Sequence, residues 1–340
     1  MTTHIKAYQI VSITGADGVR PASVPKPSPG PGEVHIRVRA ASLNYRDLMI
    51  FNGSYGEPNL PFVPLADGAG EIIGLGEGVT RWKIGDRVTS IYFPSWQTGP
   101  FFGDVFKNQL GAGSPGVLAE EIVLPENAVV EVPPHLSFEE AATLPCAGVT
   151  AWQTLVTRGH VAAGETVLLQ GTGGVSLFAL QFAKLHGARV IITSSSDEKL
   201  ARARALGADE TINYRTTPDW DTEVLRLTGG SGANHVVEVG GRDTFAKSLR
   251  AVAAEGAVNV IGGLGGGFMS EAPLLELITH SSTVRGIIVG SREMYLAMNR
   301  AITLAQLRPV IDRTFPFEEA IAAYRHLESG AHFGKVVITV

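Results

Sequence analysis

The chain has 340 residues, longer than one hydrophobic core usually organises, and its 44% hydrophobic content is enough to bury two. A net charge of −5 without any Lys/Arg run excludes nucleic acid and anionic membrane as partners. A lone cysteine, Cys146, excludes an intrachain disulfide framework and any zinc site built from several thiolates. Residues 1–11 lack the apolar core of a signal peptide, and no stretch nears the roughly 18 apolar residues a membrane helix needs, so a cytoplasmic protein is expected.

In chain order, residues 1–135 place short alternating strands, such as 34–40 and 120–124, between Pro/Gly-rich turns, which predicts a β-rich, barrel-like domain. After Val132-Pro133-Pro134 the pattern changes to strands alternating with helices. Strands are predicted at 166–170, 189–193, 210–214, 235–239 and 257–261, with a sixth near 283–289. The helices between them start and stop clearly at 176–186, before Gly187, and at 197–206, before Gly207. Right-handed crossovers would assemble these units into a doubly wound α/β Rossmann domain over 136–290. The C-terminal segment 291–340 is expected to complete the first domain, with its last strand, 335–340, pairing there.

Directly after the apolar run Val167-Leu168-Leu169-Gln170 comes Gly171-Thr172-Gly173-Gly174-Val175-Ser176. A glycine-rich turn between strand and helix lets backbone N–H groups approach a pyrophosphate at the positive end of the helix dipole. Ser176 stands where a third glycine is usual. At the tip of the second strand, ~20 residues on, an NAD-specific site carries an acid for the ribose 2′-hydroxyl. This chain has Ser194-Ser195-Ser196 there, followed by Lys199. Hydroxyls and an ammonium suit a 2′-phosphate, so NADP(H) is expected to be preferred over NAD(H).

The whole pattern resembles the medium-chain dehydrogenase/reductase superfamily, along essentially the entire chain. The resemblance is carried by Ala41-Ser42-Leu43-Asn44-Tyr45-Arg46-Asp47, by Gly70, Gly74, Gly76, Gly78 and Gly85-Asp86-Arg87-Val88, and by Glu140 to Thr150. In the second half it is carried by Gly171 to Ser176, Ala205 to Asp209, Ile212-Asn213-Tyr214 and His332 to Val337. It implies a GroES-like catalytic domain interrupted by the Rossmann domain. Aligned to the zinc ligands of alcohol dehydrogenases in that superfamily, the chain has Asn44, Ala66 and Cys146, with Asp67 on a neighbouring acidic position. An amide and a methyl group cannot replace a thiolate and an imidazole, so no metal is expected.

Those departures resemble the zinc-independent quinone reductase-like branch. The resemblance implies a catalytic set of Asn44, Tyr45 and Tyr55, with Asn44 and Thr150 touching the cofactor. It adds Thr172, Gly173, Gly174, Val175, Ser194, Ser195, Lys199, Tyr214, Gly240, Gly262, Val289, Gly290 and Lys335 as cofactor positions. For Arg46 and Asp47, loop anchoring and catalysis both remain open, and Cys146 is expected as a small buried side chain. The aromatic segment Tyr92-Phe93-Pro94-Ser95-Trp96 with Phe101-Phe102 reads as a substrate pocket or lid, or as a satellite core beneath a long loop. Hydride transfer from NADPH to an activated alkene or quinone follows, on a small apolar or aromatic carbonyl substrate. An alcohol or aldehyde dehydrogenase and a non-catalytic NADPH sensor are the alternatives. The strand near 283–289 is expected to join two copies into a homodimer.

Overall fold

A computed structural model describes residues 3–56, 59–265, 267, 270 and 272–340. The chain divides into two compact units, one formed by Met1–Val149 with Val289–Val340 and the other by Thr150–Ile288. The change of sequence pattern at Val132-Pro133-Pro134 precedes this division. The intervening short helix Phe138–Ala141 packs on first-unit strands Glu33–Leu43, Asp67–Leu75 and Lys335–Thr339, which keeps it with that unit.

The first unit holds a sheet in the order Ile311–Pro316, Lys335–Thr339, Glu33–Leu43, Asp67–Leu75, Arg87–Ser90 and Val129–Glu131, with Glu121–Pro125 also paired to Glu33–Leu43. A separate hairpin-like pair joins His4–Ile10 to Val19–Pro25. The long strand Glu33–Leu43 is the hub. Its second half pairs antiparallel with Lys335–Thr339 on one side and Asp67–Leu75 on the other. This register brings Leu43 opposite Val336 and Ser42 opposite Asp67, so the strand ends converge just before the helix Tyr45–Phe51.

In the second unit six strands run parallel in the order Glu210–Asn213, Arg189–Ser194, Thr166–Gln170, Ala233–Glu238, Val252–Val260 and Thr283–Gly286. All five residues of Thr166–Gln170 are buried, as expected for a central strand covered on both faces. On one face Leu168, Ile191, Ile212, Val236 and Val258 form a continuous row, packed against Trp220, Val224 and Leu249 from the helices. Each such side chain contributes roughly 1.5–3 kcal/mol on burial. The order places Thr166–Gln170 where the winding reverses, the position at which ligands bind to sheets of this kind. The sixth strand ends at Gly286, earlier than expected, with one further bond from the Ile287 N–H to the Val260 carbonyl.

Candidate active site

At the end of Thr166–Gln170, Gly171 adopts φ 68°, a conformation that glycine reaches without strain. Gly173 is the N-cap of the helix Gly174–Leu185 and gives it no side-chain cap. A Cβ added at Gly171 or Gly173 would meet nothing within 4 Å, so open space lies beside both. The turn thus offers uncapped N–H groups and room beside the backbone, the combination a pyrophosphate needs. Ser176, in place of the third glycine, is buried and donates to the Gln170 carbonyl at 2.7 Å. It ties helix to strand. Thr172 is buried beside the turn, while Gly174 and Val175 form the first turn of the helix.

At the tip of Arg189–Ser194 the serines divide their work. Ser194 Oγ accepts from the Ser196 N–H, and Ser196 Oγ caps the next helix by accepting from the Lys199 N–H, each at 3.3 Å. Ser195 and the Lys199 side chain are half-buried at the same edge. Tyr214 N–H donates to the Ser194 carbonyl, which brings the 42%-exposed Tyr214 to this edge. Asp197 accepts from Asn213 at 2.7 Å, so its carboxylate is engaged with the neighbouring strand.

Gly240 and Gly262 are linked through a residue the sequence reading passed over. Glu238 is fully buried at the end of its strand, and its carboxylate accepts from the Gly240 and Gly241 N–H groups, both at 2.8 Å, from Thr244 Oγ1, Ser248 and Gln170. Its carbonyl accepts from Ile261 and Gly262. An acid at the end of a buried strand, one residue before Gly240-Gly241, was the available signal. Thr150 opens the second unit, buried, with its carbonyl accepting from Thr154.

The other expected residues gather in the first unit. Asn44 precedes the helix Tyr45–Phe51 and its N–H donates to Asp47 Oδ2 at 2.8 Å, locking the helix start. Its amide nitrogen donates to Asp67 Oδ2 at 2.9 Å, and its amide oxygen accepts from Lys335 Nζ at 2.6 Å. Lys335 also donates to the Leu43 carbonyl and lies 3.7 Å from Asp67. Lys335, expected as a cofactor contact, is buried here with its ammonium bonded to Leu43 and Asn44. Val289 and Gly290 lie in the same unit, where a Cβ on Gly290 would strike Val149 at 2.6 Å.

Arg46 lies in the same buried region, and its Nη1 donates to Asp47 at 3.3 Å and to the Leu110 carbonyl at 2.9 Å. Its guanidinium lies 4.9 Å from the ring centre of Tyr92 and 5.6 Å from that of Tyr55. Both phenols donate to Gln109 Oε1, at 3.1 Å from Tyr55 and 3.3 Å from Tyr92. Nothing in the sequence singled out Gln109. Tyr45 is 45% exposed and takes no part in these bonds.

Burial dominates the electrostatics here. It pushes the Asp67 carboxyl up to about 6, against the opposing pull of Lys335 and Asn44. Asp47 is raised for the same reason, with Arg46 opposing. The Cys146 thiol is pushed far up by burial, with Asp67 adding to the effect, so it stays protonated. Cys146 is nonetheless partly open to solvent, whereas a buried side chain was expected. Among the described residues no three His, Cys, Asp or Glu gather as metal ligands.

The aromatic segment splits. Tyr92, Phe93 and Trp96 are core residues, while Phe101, Phe102 and Phe106 remain partly exposed around them.

Comparison with known proteins decides the family. Residues 30–134 match the model of the alcohol dehydrogenase GroES-like domain, and residues 174–303 match that of the zinc-binding dehydrogenases. A zinc-type alcohol dehydrogenase-like protein of Schizosaccharomyces pombe is 43% identical over 337 residues, covering 96% of this chain and 97% of its own. The chain is a medium-chain dehydrogenase/reductase. Other relatives of this oxidoreductase include a quinone oxidoreductase of Pseudomonas aeruginosa, 32% identical over 89% of this chain and 90% of its own. A solved NAD-dependent alcohol dehydrogenase is similar to the dehydrogenase at 37% identity and TM-score 0.90, covering 98% and 99% of the two chains. A quinone oxidoreductase of Pseudomonas syringae pv. tomato is similar at 31% identity and TM-score 0.84, covering 99% and 100%. In this dehydrogenase, no described helix is long and apolar enough to cross a membrane.

Proposed function

We propose that this enzyme reduces activated alkenes or quinones with NADPH and uses no catalytic zinc. One observation carries the reading: Lys335 Nζ lies 2.6 Å from Asn44 Oδ1 and 3.7 Å from Asp67, so an ammonium already supplies the positive charge that this acidic cluster needs. The residues do not fit zinc. Both ends of the Asn44 amide are engaged and Ala66 offers a methyl group, which leaves Cys146 as the single thiol of the three positions. Thiolate and neutral imidazole ligands are what Zn²⁺ requires.

NADPH supplies the hydride when bound. The uncapped turn at Gly173 supports pyrophosphate binding, and the missing acid at Ser194-Ser195, with Lys199 close by in sequence, supports the 2′-phosphate. Thr172, Gly174, Val175, Tyr214, Gly240, Gly262, Thr150, Val289 and Gly290 are assigned to the cofactor on the same basis. Asn44, Tyr45 and Tyr55 are assigned to the substrate end, where a carbonyl oxygen must be held while charge develops on it. Tyr55 donates to Gln109 in a network with Tyr92. Asp67, raised to about 6, is a second proton store.

A homodimer belongs to the same reading. The edge strand Thr283–Gly286 has no inward-facing buried residue, and Leu274, Leu275, Ile278 and Val284 are exposed around it. A cytoplasmic location is assigned with it, in keeping with a single unpaired cysteine.

The deciding experiment assays NADPH oxidation with enones, quinones and simple alcohols, with and without chelator, alongside metal analysis of the purified protein. Chelator-insensitive reduction of enones or quinones is expected. Activity confined to alcohols and abolished by chelation would establish an alcohol dehydrogenase instead, the activity named for several relatives.

A further inference from the structure

Arg46 is 8% exposed, and its Nε and Nη2 have no hydrogen-bond partner. Only Nη1 is engaged, by Asp47 and Leu110. A guanidinium carries five N–H donors in a rigid fork, so the three on Nε and Nη2 are unmet. The Tyr55 and Tyr92 rings, 5.6 and 4.9 Å away, answer the charge but accept no conventional hydrogen bond. A buried donor left unmet costs about 1–3 kcal/mol, and native proteins retain few of them without a use. The open edge of a fork aligned for planar oxygen acceptors is therefore the feature to explain.

We propose that Arg46 is a catalytic residue whose Nε–H and Nη2–H groups receive the substrate's carbonyl oxygen and stabilise the negative charge that hydride addition places there. This inference rests on the function proposed above and supplies its missing electrophile. The surroundings suit the role. Tyr55 is half-buried and Cys146 partly exposed, so the cage reaches solvent on that side. The cluster's charged groups are Arg46 and Lys335 against Asp47 and Asp67. The chemistry balances as well: bound NADPH would give up its C4 hydride to the β-carbon of an enone and become NADP⁺, the carbonyl oxygen would take the resulting charge as an enolate held by Arg46, and water would supply the proton to the α-carbon.

The test uses the NADP⁺-loaded full-length enzyme and 4-nitrophenol, whose absorbance reports whether it binds as phenol or phenolate. With wild type, bound probe is expected to ionise at least tenfold more readily than in water. Arg46→Gln should abolish that shift and lower kcat for enone reduction by roughly 100-fold, as for loss of an oxyanion donor. Added guanidinium ion should restore part of both. Arg46→Lys, which keeps the charge and the fold but not the fork, should show a shift reduced several-fold and decides the matter if the glutamine variant does not fold. A wild-type-like shift and kcat in Arg46→Lys would overturn the proposal. So would an absent shift in wild type. A shift in wild type, lost in the variants, together with no enone or quinone reduction, would uphold Arg46 and overturn only the substrate class.

Discussion

The Lys335 ammonium donates to the Asn44 amide oxygen at 2.6 Å, although 291 residues separate them in the chain. The strand Lys335–Thr339 lies against the end of Glu33–Leu43, and that pairing alone brings them together. Removing the cation leaves Asp67 buried with its principal opposing charge gone. Lys335→Met should destabilise the first unit by about 3–5 kcal/mol in urea unfolding, more at pH 8 than at pH 5, because Asp67 is neutral at the lower pH. Equal loss at both pH values would argue against the pairing.

Asp67 also sets a pH dependence of its own. Its carboxyl is raised from 3.8 to about 6 in the folded protein, so the folded state binds the proton more tightly than the unfolded chain. That contribution is complete below about pH 4 and is lost as pH rises through about 6, a change of about 3 kcal/mol. In Asp67→Asn the stability measured at pH 7 relative to pH 4 should improve by that amount. Parallel pH curves for variant and wild type would contradict it.

Space beside Gly173 separates binding from folding. Its φ is ordinary and a methyl group would touch nothing, so Gly173→Ala should cost no more than about 1 kcal/mol, the usual difference at an N-cap. NADPH, if it approaches the backbone here, should bind at least tenfold more weakly by fluorescence titration. Unchanged affinity would move the pyrophosphate elsewhere.

Cofactor choice is tested at Ser195, which is half-buried at the strand tip. Ser195→Asp should repel a 2′-phosphate and accept a ribose hydroxyl. The ratio of kcat/KM for NADPH over NADH should fall by about 10- to 100-fold, or roughly 1.4–2.8 kcal/mol. A rise or no change would remove the serines from the 2′ site.

The exposed edge offers a final check. Val284 lies on the edge strand and is 39% exposed, so Val284→Arg should leave the monomer's stability within about 0.5 kcal/mol. Light scattering should show a wild-type dimer converted to monomer.

Much of this molecule was legible before folding was considered. The parallel strands of the second unit announce themselves because a strand covered on both faces must be apolar throughout, as Val167-Leu168-Leu169 is. The glycine turn and the serines after the second strand are local signals, read within a few residues of each other.

Only the tertiary structure decided what those residues do to one another. Lys335 was assigned to the cofactor by position, and the fold sets its ammonium 3.7 Å from Asp67. Gln109 and Glu238 carried no motif, yet one receives two phenols and the other organises both glycine-bearing strand ends. Tyr92, Phe93 and Trp96 became core while Phe101 and Phe102 stayed partly open. Hydrogen bonds, desolvation and orphaned donors such as those of Arg46 depend on which distant segments share a dry interior. Strand register fixes that, and local sequence pattern does not encode it.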